Sequence, residues 1–476
     1  MNAAEINQFY NAFYKLNLEN NSYNPDLRIS KATDSKMKIY KINKLKCVIY
    51  RKNVVKFFLP GIILFRIFIN GLYNIFRFAL YQKQKTKVNK VDIVFVSHLT
   101  NRNSNSMEDT FYGPIPQELR NSGKNVAIIY SNQIRGVSKT RIKNIESNNN
   151  FVIPKYLEFK EFVEFFKTAL KSVKFTFEQV TSIPELQREE NTLVFKACYS
   201  FFKVDTMMNF HLIEKTKEVV LKYQPKYVFI TLEGHIYENS ISLYCENNPD
   251  INQIFIFQNS PISPSQFGLF DFVKESREKL TYLVQGNTYK ELILKLNKSS
   301  QVMVVGKKEE IFNLKQEDKS IENNKLILVP DGDKLNISYF LHLSKSFYDQ
   351  VSKDIEITLH PDTHIGIGNH IKLFILKRKG LIKKTKSNLK TQDLALYGSL
   401  AYTSSSLSIK SLRMGIQLIY VNDSKYNLDP LWLSSPIESV QRDDKTDFKP
   451  RYFQITEYRN YCSELNYQPL IELITT

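Results

Sequence analysis

KVDIVFVSHL, residues 90–99, is the stretch on which the fold turns. It is a short β-branched apolar run, the length and composition of a buried strand. A polar loop, NRNSNSMEDTFYGPI (101–115), follows it, then a helical PQELRNSG and a second strand-like run, KNVAIIY (124–130). Strand, loop, helix, glycine, strand is a βαβ unit. Such units build parallel sheets whose working loops lie at the strand C-termini.

The same grammar continues along the chain. A helical middle contains EFKEFVEFFKTALKSV and VDTMMNFHLIEKTKEVVLKY, both with apolar residues at helical spacing. Strands are expected at KYVFITLEG (226–234) and INQIFIFQNS (251–260), with a helix between them, and again at KLTYLVQG and SQVMVVG. A charged linker, 307–324, leads to a second series beginning KLILVPDGD. Its expected elements are a helix at 336–350, strand DIEITLHPD, a basic connector, strand DLALYG, a helix at 405–415 and strand QLIYV. The expectation is α/β: two Rossmann-like domains, 91–315 and 325–430, facing each other across a cleft, with 431–476 packing back on the body.

Composition narrows the function. The chain of 476 residues has the apolar and charged fractions of a globular protein and a net charge of +18. Cys47, Cys198, Cys245 and Cys462 lie far apart with no metal-like spacing, which fits buried thiols in a reducing cytoplasm. The positive charge is concentrated in acid-free blocks at 36–56, 83–90 and 371–390. Charge alone suits a nucleic acid or an anionic membrane surface equally. Between the first two blocks lies FFLPGIILFRIFINGLYNIFRFAL, 57–80, apolar and aromatic but interrupted by Arg66 and Arg77. Arginine near the middle disfavours a spanning helix, and the position and flanks disfavour a secretory signal. Residues 1–90 therefore read as a helical, basic region with an interfacial helix at 57–80. The expected partner is an anionic membrane surface, on the inner face of the cytoplasmic membrane, and not nucleic acid. A segment packed on the protein or spanning the bilayer is the alternative.

Three features fall at strand ends. TLEG, 231–234, puts Glu233 at a terminus where a carboxylate can act as a general base, or serve only as a loop residue or helix cap. LHPD, 359–362, fixes His360 beside Pro361, suited to protonating or hydrogen-bonding a phosphate. His364 and His370 follow, but without the spacing or third ligand of a metal site. The run YTSSSLS sets Ser404, Ser405 and Ser406 at a helix N-terminus, an anion site or an ordinary cap. Dinucleotide and P-loop signatures are absent.

Acid-Gly, then HP, then a serine pair resembles the bacterial sialyltransferases, which share [DE]-[DE]-G, HP and S-[ST] motifs on the two-domain architecture called GT-B. EGHIYENSI (233–241), followed by a strand and the Phe257-Gln258 pair, is similar to surface-carbohydrate proteins related to bacterial Kdo transferases. Both resemblances imply a CMP-activated 2-keto sugar acid, Kdo or a sialic or related nonulosonic acid, transferred to a hydroxyl of a surface glycan or glycolipid. They imply no metal and no cofactor. Glu233 would be the base, or the nucleophile of a retaining reaction alongside Asp109 and Asp331 as rival candidates. His360 would assist the leaving phosphate, and Pro361, Gly332 and Ser404–Ser406 would line the nucleotide. His98, Asp109 and Tyr112 would stand on the acceptor side, with Asp109 equally suited to capping a turn. Two departures are clear: Leu232 stands where the sialyltransferase pattern has its first acid, and Asn259 where the Kdo-related likeness suggests histidine. An NDP-sugar transferase of the same fold, a nucleic-acid-binding protein and a non-catalytic membrane scaffold are the rival readings.

Overall fold

A computed structural model describes residues 90–99, 109–132, 150–153, 159–182, 204–233, 235–262, 277–306, 324–331, 334–359, 365–387, 391–421, 429–434 and 460–475, with a few single positions besides. The expected interfacial helix at 57–80 lies outside the described residues, apart from Phe65 and Ile69.

Two parallel sheets organise the chain. The first contains β1 (Ile93–Leu99), β2 (Val126–Asn132), β3 (Phe151–Ile153), β4 (Tyr227–Thr231), β5 (Gln253–Phe257), β6 (Leu280–Val284) and β7 (Gln301–Val304). Their order in space is β3-β2-β1-β4-β5-β6-β7, and every pairing is parallel. Interspersed are α1 (Ile115–Asn121), α2 (Phe159–Ser182), α3 (Val204–Tyr223), α4 (Ile236–Glu246) and α5 (Asn287–Leu296). The order reverses between β1 and β4, the position at which open parallel sheets form a crevice beyond their strand C-termini.

Side-chain alternation explains why both faces of this sheet are covered. Val94, Val96, Val228, Ile230, Ile254 and Ile256 point to one face, against Leu212 of α3 and Tyr237 of α4. Phe95, Phe229, Phe255 and Phe257 point to the other, with Ile115 and Leu119 of α1. There Phe95 stacks on Phe229 at 4.2 Å between ring centroids and Phe229 on Phe255 at 4.6 Å. This aromatic ladder crosses β1, β4 and β5, the three strands that carry the crevice, and each stacked pair contributes about 0.5–1.5 kcal/mol beyond its burial.

The second sheet contains β8 (Lys325–Val329), β9 (Asp354–Leu359), β10 (Lys384–Ser387), β11 (Ser399–Tyr402) and β12 (Gln417–Tyr420), in the order β10-β9-β8-β11-β12, again parallel. Its helices are α6 (Lys334–Gln350), α7 (Ile367–Arg378) and α8 (Leu407–Arg413). The reversal here falls between β8 and β11. One sequence expectation is corrected: DLALYG is not a strand. Residues Thr391–Leu396 form a 3-10 turn, and the strand is Ser399–Tyr402, paired to β8 on one side and β12 on the other. Leu394 is buried, Leu396 is half exposed, and the Tyr397 hydroxyl is drawn to Glu356 at 2.6 Å. The apolar alternation in that segment therefore serves a turn rather than a ladder. The basic connector at 383–387 contributes an edge strand, β10, and FVI at 151–153 another, β3.

The C-terminal segment returns to the first sheet. Ser463 N–H donates to Gln285 O and Asn466 N–H to Val305 O. The final helix, α9 (Gln468–Thr475), buries Leu470 and Ile474 with Phe95 and Phe229. Gly286 and Gly306 allow this approach: a Cβ on either would collide with the backbone of Asn460–Tyr461 or of Ser463–Glu464. Gly306 is also in the left-handed region, at φ +68°.

Candidate active site

The crevice between β1 and β4 collects most of the titratable groups singled out in the sequence. Glu233 follows the last residues of β4, and its carboxylate is held from two directions. Asn259 Nδ2 donates to Oε1 at 3.2 Å, and His235 Nε2 lies 3.1 Å from Oε2. Both partners are fixed in turn. Asn259 follows the buried Gln258, which accepts the Gln285 N–H at 2.9 Å, while Gln285 Nε2 donates to the Asn259 carbonyl at 2.6 Å. His235 is the N-cap of α4. Its ring stacks on Tyr237 at 5.4 Å, and its N–H donates to the Glu238 carboxylate at 2.9 Å.

Glu238 is the fixed point of the β4–α4 turn. Its fully buried carboxylate also accepts the Glu233 N–H at 2.8 Å and the Thr231 hydroxyl at 3.0 Å. Three donors on one side chain hold Thr231, Glu233 and His235 in a single conformation. Burial pushes the Glu238 carboxyl up to about 8, with Glu233 adding to the rise against the pull of His235. For Glu233, burial also works upward, but the hydrogen bond and charge of His235, then Asn259 and His98, outweigh it and bring the carboxyl down to about 2. Two neighbouring glutamates are thus pushed in opposite directions, one toward the neutral acid and one toward the fixed anion.

His98, the penultimate residue of β1, stands on the other side. Its Nε2 lies 2.9 Å from the Tyr237 hydroxyl, which is itself 2.7 Å from Thr231 Oγ1. The His98 and His235 rings are 5.8 Å apart. Burial, then the proximity of His235, lowers the His98 imidazole to about 4, against an opposing pull from Glu233. At neutral pH His98 is therefore uncharged.

Asp109 and Tyr112, expected on the acceptor side, have their polar atoms bonded within the fold. Asp109 accepts the Ser97 hydroxyl at 2.8 Å and the N–H groups of Phe111 and Tyr112 at 2.8 and 3.0 Å. Tyr112 is buried and its hydroxyl donates to Val96 O at 2.8 Å. Together they fix residues 109–114, the turn-capping alternative for Asp109, and the Phe111 ring lies 5.4 Å from that of His98. Leu232, in place of an acid, is also explained. It is 1% exposed in the core, and its N–H donates to Phe257 O at 2.7 Å.

The serines follow β11, at the β8–β11 reversal of the second sheet. Thr403, fully buried, donates to Val421 O at 2.7 Å and accepts Asn336 Nδ2 at 3.0 Å. Asn336 Oδ1 accepts the Asp331 N–H at 2.9 Å, tying the loop after β8 to the end of β11. Ser404 and Ser405 are half-buried and Ser406 is exposed. Ser405 Oγ accepts the Leu407 N–H at 3.2 Å, and Ser406 is the N-cap of α8 without a side-chain capping bond. The helix they open is shorter than expected, Leu407–Arg413. His360, Pro361 and Gly332 lie outside the described residues; β9 is described to Leu359. Among the described residues no group of three or more His, Cys, Asp or Glu side chains could hold a metal ion.

Sequence reading alone missed Asn259 as a ligand of Glu233, His235 and Tyr237 as wall residues, Glu238 as the turn's anchor, and the Asn336–Thr403 tie. His235 and Glu238 stand at the capping-box spacing, an acid three residues after the N-cap.

No protein-family model matches the chain, and no curated protein matches it. Among solved structures, it is similar to the UDP-GlcNAc 2-epimerase from Neisseria meningitidis bound to UDP-GlcNAc, at 11% identity and TM-score 0.37 over 70% of this chain and 82% of that one. The Anabaena protein HepE in complex with UDP and glucose matches at 10% identity and TM-score 0.37 over 80% and 88%. The glycosyltransferase SnogD from Streptomyces nogalater matches at 10% and 0.34 over 70% and 82%. Likenesses this distant carry no argument about function. The parallel sheets and their order rest on the chain's own strand pairing.

Proposed function

We propose that the chain is a nucleotide-sugar-dependent glycosyltransferase that moves a CMP-linked 2-keto sugar acid to a hydroxyl of a surface glycan or glycolipid. The observation that carries the reading is the Glu233–His235 pair, a partly exposed carboxylate and imidazole held rigidly at the crevice between β1 and β4. A carboxylate held near pKa 2 does not keep a proton at neutral pH. Glu233 takes the acceptor proton in concert with the displacement, as the sugar's bond to the nucleotide phosphate breaks and its bond to the acceptor oxygen forms, while His235 and Asn259 hold the carboxylate in place. His98, neutral and fixed by Tyr237, shapes the acceptor wall without adding a competing charge. Asn259, a departure from the Kdo-related likeness, supplies the second donor that keeps Glu233 ionised.

On the donor side, Ser404, Ser405 and Ser406 bind the phosphate, with Gly332 near the nucleotide. His360, set by Pro361, stabilises the leaving group. Hydroxyl and N–H donors suffice for a monophosphate leaving group in a water-poor cleft, so the reading requires no metal. The donor identity rests on the sequence motifs.

The test is nucleotide release by purified protein offered CMP-Kdo, CMP-sialic acid and UDP-GlcNAc separately, each with a crude glycolipid extract. Release from a CMP-sugar alone supports the full reading. Release from the UDP-sugar alone keeps the transferase and replaces the donor class. No release from any donor, with the fold intact, overturns it.

A further inference from the structure

Helix α7 carries an apolar stripe that the fold does not use. Its inner side packs on the second sheet through Leu373, and Leu376 adds to the same core. On the opposite side Ile367 is 81% exposed, Ile371 57%, Phe374 57% and Ile375 46%. These four residues fall at i, i+4, i+7 and i+8, so they share one face. A helix apolar on both sides is ordinarily covered on both.

The charges around the stripe say what covers it. Lys377, Arg378 and Lys379 close the helix and Lys384 follows, all exposed, while Lys383 pairs with Asp354 at 3.2 Å. Residues 363–392 contain no Asp or Glu. Arg378 lays its guanidinium over the Phe374 ring at 5.0 Å, placing a cation against the apolar face itself. We propose that this face of α7 docks on an anionic lipid bilayer, with Ile367, Ile371, Phe374 and Ile375 entering the acyl boundary and the lysines and Arg378 at the headgroups. A nucleic acid would leave four apolar side chains exposed. A second copy of the chain would bring the same cations together. The chain's own 36–90 segment, with its acid-free lysine block at 36–56, would be repelled for the same reason.

The placement has a consequence for the crevice. α7 follows β9, so its Ile367 end lies at the edge where β9 terminates, the edge that also carries the loops after β8 and β11. Docking there brings that rim to the lipid surface. The inference does not depend on the transfer chemistry and stands or falls separately.

The test uses the full chain with vesicles of phosphatidylcholine alone or mixed with phosphatidylglycerol. The chain has a single tryptophan, Trp432, which gives the background. A Phe374→Trp variant should be quenched by brominated acyl chains beyond the wild type, on the anionic vesicles only. Ile371→Ser with Phe374→Ser should lower the partition coefficient by on the order of tenfold or more, since two apolar side chains no longer enter the boundary, without lowering the melting temperature. Flotation with no added quenching at position 374 would assign binding elsewhere in the chain and overturn the proposal. So would conversion of a dimer to a monomer by the double serine variant. Oligonucleotide binding that Lys377→Glu with Lys379→Glu abolishes, in the absence of vesicle binding, would overturn it as well.

Discussion

Replacing Glu233 by glutamine tests whether the carboxylate is held as a fixed anion. The folded carboxyl lies at about 2 against a reference of 4.5. That difference, about 2.5 units at ~1.36 kcal/mol each, makes the ionised form worth about 3 kcal/mol to the folded state. The sign follows from proton counting. Between these two values the unfolded chain binds more protons than the folded one, so stability rises with pH. The contribution is complete above about pH 4.5 and is lost as pH falls toward 2. Glutamine has the same shape but must turn its amide toward either Asn259 or His235, both of which donate to or pair with the carboxylate. Glu233→Gln should therefore melt roughly 6–12 °C below the wild type near neutrality, taking about 2–4 °C per kcal/mol for a domain of this size. The gap should narrow as the buffer is taken from about pH 5 to pH 3. Differential scanning fluorimetry of both proteins across that range reads it directly. Equal melting temperatures near neutrality, or a gap that does not change with acid, would refute the electrostatic account of the pair.

Glu238 behaves in the opposite sense. Its carboxyl is raised to about 8, so the folded state binds the extra proton, and stability falls as pH rises from about 4.5 to about 8. Glu238→Gln removes that dependence, and its melting temperature relative to wild type should rise between pH 5 and pH 9; a constant difference would count against a buried neutral acid. Tyr237→Phe deletes the hydroxyl between His98 and Thr231 and should cost about 1–3 kcal/mol in denaturant unfolding, with the β4–α4 turn loosened. Gly306→Ala forces a Cβ into the Ser463–Glu464 backbone at a left-handed position, so residues 460–475 should become readily cleaved in limited proteolysis, at a cost of about 1–3 kcal/mol.

How much of this was legible depends on burial. The central strands of both sheets were readable because parallel strands covered on both faces leave continuous apolar runs, as in IVFVSHL and KLILV. The edge strand β10 carries no such run. KTKS of β10 reads as a solvated connector, and only its pairing to β9 makes it a strand. DLALYG failed for the opposite reason, because its apolar residues pack around a turn. The strand-end position of Glu233 followed from the end of β4, but its partners did not. Asn259 reaches it from β5 and His98 from β1, and that proximity is set by strand order, which no local pattern encodes. Leu232 looked like a lost acid and is a core residue, in one cluster with Val228, Ile230 and Tyr237.

The most direct test of the central claim is the rate of nucleotide release in the presence of acceptor, measured side by side for the wild type and Glu233→Gln near neutral pH with the donor that gives the highest turnover. Loss of a positioned base should lower the rate by about 10²–10⁴-fold while nucleotide binding is retained. A variant that turns over at the wild-type rate would contradict the assignment of Glu233, held in place by His235, as the catalytic base.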